Sequence, residues 1–491
     1  MPREGGDSMR TRMERVRPEA VGVSPGAILK FLRALEETGF VSHDLMVIRH
    51  GKVVFEAHYA PFRPDIPHML CSCSKSFASA AVGFAIDEGR FALDDPIVGL
   101  FPEKLKGTPH PYAAAMTVRH LLEMSTAYAD AIQPASEDWT ADFLNREPDH
   151  YPGTTFGYDS IGTHVLCEAV QKFTGMTVHE YLTPRLFEPL GIAPEEVRWS
   201  VGAMGVNHGG GGLCLTPEGM AKFAQLLLSD GVWEGRRVLP EGWVSEATRG
   251  RVSAAASDGS YKPSYGRKFW RVQDGGYACL GLAGQAILVH PERDVAFVGT
   301  ANGFQTDYHY FHTTFFWQYV YKELAEGAIP REDAAYAELL RRTERAEAFL
   351  PEGGSESPHI PEIGGKRLTA ERNALGATGF EAAFTEGGGE IRVCLPDRTL
   401  SVPFGYRRHV AGGIGLHALA KGGASDCPNG CGSAGAWVDG RTLVVQSHMI
   451  DTLSYFLVTL HIGERAVVLD LKAFGIYRYE GIPCALTHLR G

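Results

Sequence analysis

The spacing of apolar residues changes several times along the chain, and each change marks an element. Ser24-Pro25 pairs a capping hydroxyl with a proline suited to the first helical position, so a helix is predicted from there to about Glu37. Leu45-Met46-Val47-Ile48 and Val53-Val54-Phe55 flank His50-Gly51-Lys52, which reads as a β-hairpin near the start of a sheet. Phe77, Ala81, Phe84 and Ala85 then recur at helical spacing, with Gly89 placed as a C-cap. From about Asp94 to Gly191 the pattern is mostly helical with proline-rich breaks, clearest at His120-Leu121-Leu122 and from Thr163 to Lys172. Strand character returns from Gly276 to Thr300, where Ile287-Leu288-Val289 and Val295-Ala296-Phe297-Val298 lie on either side of a Pro291-Glu292-Arg293 turn. Aromatic residues from Tyr308 to Tyr321 predict a closing helix packed back on that sheet. Strands at both ends with helices between predict an α+β domain whose sheet is completed late in the chain.

The texture changes after that. A charged helix over about Arg331 to Phe349 leads into the linker candidate Pro351 to Pro358. Beyond Lys366 come short β-like runs. Asp439-Gly440 between Trp437-Val438 and Leu443-Val444-Val445 is a hairpin signal, and strands follow at Leu453–Leu460 and Ala466–Leu471. The predicted organisation is a tail over 1–20, a main domain over 21–330, a helix and linker over 331–365 and an all-β domain, barrel or sandwich, over 366–491. No repeat with a fixed period is present.

At 491 residues the chain exceeds what one core serves, and 44% hydrophobic with 21% charged residues is ordinary globular composition. A net charge of -11 makes the surface a poor partner for phosphate backbones or anionic lipid, so nucleic-acid binding is not expected. No run of apolar residues is long enough to span a bilayer, and the charged N-terminus lacks the apolar core of a secretory signal. Nine cysteines, an odd number mostly in apolar or glycine-rich surroundings, fit reduced thiols and a cytoplasmic location. Cys427 and Cys431 form the one close pair, but with only scattered histidines such as His417 and His448 as further ligands the reading is a glycine-rich loop, not a metal site.

Two serine motifs compete for attention. Gly22-Val23-Ser24-Pro25-Gly26 matches G-x-S-x-G, yet no strand precedes it and Ser24-Pro25 already has a role as a helix cap. Ser72-Cys73-Ser74-Lys75 is the stronger candidate, because residues three apart share one helical face. A serine hydroxyl needs an adjacent base, and a lysine serves as one only where burial and the positive end of a helix disfavour its charge. Among the neighbours, His68 could approach Ser72 from the preceding loop, and Asp159 could tune Tyr158, although a solvated turn carboxylate is its simpler reading. Cys71 and Cys73 flank the serine without a clear base partner, as small core packers, and Gly209 to Gly212 reads as a tight connection between strands and not as a phosphate cradle.

The segment from His68 to Gly83, with Ser72 and Lys75, resembles the nucleophile helix of serine β-lactamase-like hydrolases: class C β-lactamases, penicillin-binding DD-peptidases and family VIII esterases. Thr117-Val118-Arg119-His120-Leu121-Leu122 is similar to the family's T-[IV]-R-x-L-L helix, and Pro152 to Ser160 to its P-G-x-x-F-x-Y-x-N element. Thr174-Gly175, Phe187 to Gly191, Gly209 to Leu213 and Gly276 to Gln285 continue the series in order, so the likeness covers about residues 20 to 325.

The resemblance implies a β-lactamase-like fold, an antiparallel sheet flanked by helices plus a helical lobe, and a lipocalin-like C-terminal module that shapes the cleft entrance or mediates a homodimer. It implies Ser72 as the acylated nucleophile, Lys75 as its proton acceptor and Tyr158 as base or proton shuttle. The backbone N–H groups of Ser72 and of Gln285, which follows Gly284, would bind the oxyanion. Neither metal nor organic cofactor is called for. Two positions depart from the family: Ser160 replaces an asparagine, and Leu282 stands where a lysine or histidine helps to hold a substrate carboxylate. Leucine cannot do that, which favours neutral esters or amides as small-molecule substrates. Two other readings stay open. One is a catalytically silent binding or regulatory protein, which Leu282 and Ser160 permit. The other is a β-lactamase or DD-peptidase, which predicts an export signal and a cation or imidazole at 282.

Overall fold

The computed structural model describes residues 12–474 except 132, 255–263, 307–309, 345, 374, 414, 416–428 and 465. Helix α1 (Pro25–Glu37) starts where the Ser24 hydroxyl accepts a hydrogen bond from the Ala27 N–H at 3.1 Å. Ser24 also donates to Glu332 Oε2 at 3.0 Å, so the G-x-S-x-G sequence is a helix cap tied to a later segment.

The main sheet has eight strands: β1 (Val41–Arg49), β2 (Lys52–His58), β3 (Val252–Ser253), β4 (Ser264–Tyr265), β5 (Trp270–Arg271), β6 (Tyr277–Gly281), β7 (Gln285–His290) and β8 (Val295–Asn302). Their order is β2-β1-β8-β7-β6-β5-β4-β3, with every pairing antiparallel. The early hairpin thus waits for β8, and Leu45 sits opposite Gly299, about 250 residues on. Alternation sorts the side chains of β1. Leu45 and Val47 face α1 and the aromatic segment containing Phe316, Val320 and Tyr321, while Met46 and Ile48 face the helical lobe.

That lobe is built on α2 (Ser74–Asp87), α3 (Ile161–Thr174) and α4 (Pro217–Leu228). Phe77 of α2 stacks on Phe223 of α4 with ring centroids 4.0 Å apart. Nearly all of α2 is buried, so small and apolar residues run all round it instead of in a stripe, and its polar residues Ser74, Lys75, Ser76 and Ser79 are buried too. A functional residue placed on it is necessarily desolvated.

After α5 (Asp333–Glu344) a second sheet begins: β9 (Arg367–Thr369), β10 (Gly379–Thr385), β11 (Gly388–Cys394), β12 (Thr399–Tyr406), β13 (Val410–Gly412), β14 (Cys431–Trp437), β15 (Thr442–Met449), β16 (Tyr455–Ile462) and β17 (Val467–Phe474). The order is β9-β10-β11-β12-β14-β15-β16-β17, with β13 paired to β14. Its core is Phe380, Ile391, Val402, Leu443, Phe456, Val458 and Leu469. The architecture is therefore α+β with a C-terminal all-β half-barrel, as the patterns predict. At the Asp439-Gly440 hairpin, Asp439 accepts from the N–H groups of Arg441 and Thr442, both at 2.7 Å. The stretch read as a linker lies along the sheet instead, because Gly354 and Trp437 exchange two backbone hydrogen bonds of 2.9 Å.

The two sheets meet through the connection between β15 and β16. Asp451, 1% exposed, forms an ion pair with Arg198 and accepts from Asn429 N at 3.0 Å and Asn429 Nδ2 at 2.7 Å. Its carbonyl accepts the Met69 N–H at 3.0 Å. Leu453 packs against Cys71 and Ala283, and its carbonyl accepts from Asn302 Nδ2. The C-terminal sheet thereby reaches the turn that carries Ser72. Asp451→Ala removes the acceptor of two Asn429 N–H groups and the ion-pair partner of Arg198, and is expected to cost about 2 kcal/mol. A lower urea midpoint with unchanged far-ultraviolet circular dichroism checks this.

Candidate active site

Ser72 lies in a 3₁₀ turn, Cys71–Cys73, that feeds directly into α2. The sequence places it in the helix itself; the tighter winding arises because Cys71 has φ 48°, a left-handed conformation unfavourable for a side chain. Ser74 holds the turn in place. Its hydroxyl donates to the Cys71 carbonyl at 2.6 Å and accepts from the Leu213 N–H at 3.0 Å.

Lys75 is 1% exposed and has two acceptors, Ser72 Oγ at 2.9 Å and the Gly210 carbonyl at 2.5 Å. Burial is the main influence on its charge and lowers its pKa from 10.5 to about 8. Ser72 itself is only half-buried, so its hydroxyl is held by the amine on one side and reachable on the other.

The glycine run at 209–212 explains how a carbonyl comes so close. A Cβ on Gly209 would lie 2.5 Å from Cys167 Sγ, and one on Gly210 would lie 2.7 Å from the Ser160 Cβ. The run closes a longer connection between the paired strands Val197–Trp199 and Leu213–Leu215, and it supplies an acceptor to Lys75. The same contact places Ser160, at the N-cap of α3, beside that carbonyl.

Tyr158 completes the cluster. The Lys75 nitrogen lies 4.9 Å from the ring centroid, and the Ser72 side chain is near enough to bear on the phenol. Burial raises the phenol well above its ordinary range, so it stays protonated. Trp270 stacks on Tyr158 at 5.5 Å and Tyr265 meets it edge-on at 6.2 Å, an aromatic wall around the phenol. Asp159 does not point into solvent. It is buried, and its two oxygens accept the N–H groups of Ile161 and Gly162 at 2.9 and 3.0 Å, anchoring the start of α3.

The β6–β7 hairpin forms the opposite side. A Cβ on Gly281 would lie 2.3 Å from the Leu70 carbonyl, so this strand end runs directly against the turn that carries Ser72. Gln285 is fully buried. Its side chain donates to the carbonyls of Leu282 at 3.1 Å and Ala301 at 2.7 Å, which fixes the strand start. The Gly284 carbonyl accepts from His312 Nε2 at 2.5 Å. Since the peptide is planar and trans, the Gln285 N–H points away from His312. Burial lowers His312 to about 4, so the ring is neutral and donates through Nε2. Leu282, 41% exposed, stands at the surface of this hairpin.

Two candidates fall away. His68 is turned from Ser72, with Nε2 2.9 Å from His43 Nδ1 and Nδ1 3.0 Å from the Met69 carbonyl. Cys71 is pushed up to about 12 by burial and Cys73 is raised well above its ordinary value, so neither presents a thiolate. Cys427 and His417 of the close-pair motif lie outside the described residues; among the described residues no three His, Cys, Asp or Glu side chains converge on a metal position. Sequence reasoning missed His312, which lay in an aromatic run, and Leu453, which comes from the other sheet. No local pattern marks either one.

This fold and this cluster define a β-lactamase-type protein. The chain belongs to the Beta-lactamase family, whose model matches residues 29–315. It is 29% identical over 304 residues to the 6-aminohexanoate-dimer hydrolase of Paenarthrobacter ureafaciens, a match covering 57% of this chain and 76% of that protein. A family VIII carboxylesterase superposes with a TM-score of 0.52 at 17% identity, covering 62% of this chain and 98% of the other. A putative beta-lactamase from Bacteroides dorei gives 0.51 at 17% identity, covering 60% and 98%. No helix among the described residues is long and apolar enough to cross a membrane.

Burying Lys75 has a stability consequence. The unfolded chain holds this proton more tightly than the folded one, so the cost is full below pH 8 and fades as pH rises toward 10.5. A shift of this size corresponds to about 3 kcal/mol, partly offset by the two hydrogen bonds. Lys75→Met is accordingly expected to raise the melting temperature at pH 7. The gain over the parent should shrink above pH 10.

Proposed function

We propose that this protein is a serine hydrolase that cleaves neutral ester or amide bonds through an acyl-Ser72 intermediate. The observation that carries the reading is the 2.9 Å contact between the Ser72 hydroxyl and a buried Lys75 amine. Ser72 Oγ attacks the carbonyl carbon while its proton passes to Lys75 Nζ. The carbonyl oxygen takes the negative charge and is received by the backbone N–H groups of Ser72 and Gln285. Lys75 then returns the proton through the Tyr158 phenol to the departing alcohol or amine as the carbon–leaving-group bond breaks. Water then attacks the acyl-serine and gives its proton to Lys75, which passes it to Ser72 Oγ as the acyl–oxygen bond breaks and the carboxylic acid leaves. His312 acts as a positioning residue, holding the Gly284 peptide so that the Gln285 N–H is aimed before substrate arrives.

Specificity follows from the apolar surroundings. Leu282 at the mouth, Leu453 from the second sheet and the wall of Tyr158, Tyr265 and Trp270 offer no cation to a substrate carboxylate. That favours uncharged acyl groups over β-lactams or D-alanyl peptides. The similarity to a 6-aminohexanoate-dimer hydrolase supports a hydrolytic reaction.

A fluorophosphonate probe is expected to label Ser72, with labelling lost in Ser72→Ala and reduced by orders of magnitude in Lys75→Ala. Turnover of short-chain p-nitrophenyl esters should rise with pH toward a plateau above 8, as Lys75 loses its proton. Absence of labelling and of ester turnover in folded protein would support the silent binding protein instead. Nitrocefin turnover matching ester turnover would favour the β-lactamase reading.

A further inference from the structure

Just upstream of the turn that carries Ser72, the two large sheets meet across buried rings. The pairing of β1 with β8 shifts register between Ser42 and Asp44, so His43 stands in a bulge, an irregularity that re-aims a side chain. Its ring stacks on Phe62 with centroids 3.5 Å apart and meets His448 of β15 edge-on at 6.5 Å. Phe62 also meets His448 edge-on at 5.8 Å, and His448 stacks on Tyr455 of β16 at 5.3 Å. His43 is fully buried, and His68, four residues before Ser72, is 2% exposed.

Hydrogen bonding fixes every proton of the His43–His68 pair. A carbonyl only accepts, so His68 Nδ1, 3.0 Å from the Met69 carbonyl, carries a hydrogen. In a neutral ring this leaves His68 Nε2 as the acceptor and His43 Nδ1, 2.9 Å away, as its donor. His43 Nε2 is then a bare lone pair, buried without a hydrogen-bond partner among the described residues. The pair has no seat for another proton. On His68 it would face the His43 N–H. On His43, or with His43 turned to its other tautomer, it leaves a buried N–H that has no acceptor.

We propose that this seam is an acid-operated latch: His43 and His68 take up protons only when the C-terminal sheet lifts away, and lifting slackens the turn that carries Ser72. The slackening follows from two contacts already described, the Met69 N–H on the Asp451 carbonyl and Leu453 against Cys71.

The charged groups around the seam are committed elsewhere. Asp44, next to His43, is matched by His58 and by the Thr300 hydroxyl, both at 2.7 Å. Glu56 faces His58 and Arg15, and Asp451 is taken by Arg198 and Asn429. Glu347 meets His409 at 2.5 Å, a ring that lies 5.7 Å from His448. Tyr59 and Tyr455 are kept protonated by burial. Among the described residues neither His43 nor His68 touches a carboxylate. Burial, and after it His68 and His448, holds His43 well below the ordinary histidine range; burial also lowers His68, against the weaker pull of Asp44 and Asp451. The lifted state therefore binds more protons than the docked one. Docking is at full strength above about pH 6.5 and weakens as pH falls below it.

Hydrogen exchange of the full chain, corrected for intrinsic rates, tests this between pH 7 and pH 5. Each histidine that ionises on lifting should raise the opening constant roughly twenty-five-fold over that interval, and two should raise it about six-hundredfold. The rise should appear together at 69–73 and 450–454, while β7 and β8 keep their protection. His43→Phe, which retains the stack on Phe62, should cut it to about twenty-five-fold, and adding His68→Phe should nearly abolish it. A flat profile in the parent, an unaltered rise in a folded variant, or a loss shared equally by β7 and β8 overturns the latch. If neither variant folds, histidine Cε1–H NMR of the parent decides. Both rings should stay neutral until protection at 450–454 is lost, and titration of either near its ordinary pH in the protected state overturns the latch. Exchange needs no turnover, so the latch and the hydrolase reading stand or fall separately.

Discussion

The hydrogen bond between Lys75 and Ser72 depends on water being kept away, and much of the molecule supplies that condition. An amine in water would be an ammonium and would donate to the hydroxyl without being able to accept its proton. The burial of α2 on all sides removes that solvent. The Gly209–Gly212 run brings a carbonyl near enough to hold the amine, and an aromatic wall closes the Tyr158 side. These features have a shared cost in stability, since each sets a polar group in a place where it is poorly solvated. Such a trade is common where reactivity and stability compete.

Much of this arrangement was legible from residue order, because the relevant partners are close in sequence. Ser72 and Lys75 are three apart, and helical geometry alone joins them. The hairpins at 45–55 and 437–445 and the helix cap at Ser24 were equally local and match the structure. The all-β character of the C-terminal region was also visible in its short alternating runs. The family likeness supplied what spacing could not, namely the order of elements between them.

What stayed hidden was long-range. His312 meets Gly284 across 28 residues and Leu453 reaches Cys71 across nearly 400, and no periodicity encodes such meetings. Asp159 looked like a solvated turn acid because its partners are backbone amides, which leave no mark in composition. The supposed linker over 351–358 was misread for a similar reason: its glycines and proline suit a free chain, yet Gly354 binds the backbone of Trp437. His68 was correctly placed just before the nucleophile turn, but its ring faces His43.

The reach of the β15–β16 connection alters what counts as the working unit. The match to the family model ends at residue 315, but the Met69 N–H, Arg198 and Asn302 all find partners at positions 451–453. A fragment trimmed to the shared portion would leave the floor of the nucleophile turn open to solvent. Any drift in the appended sheet is thus transmitted to the turn that carries Ser72.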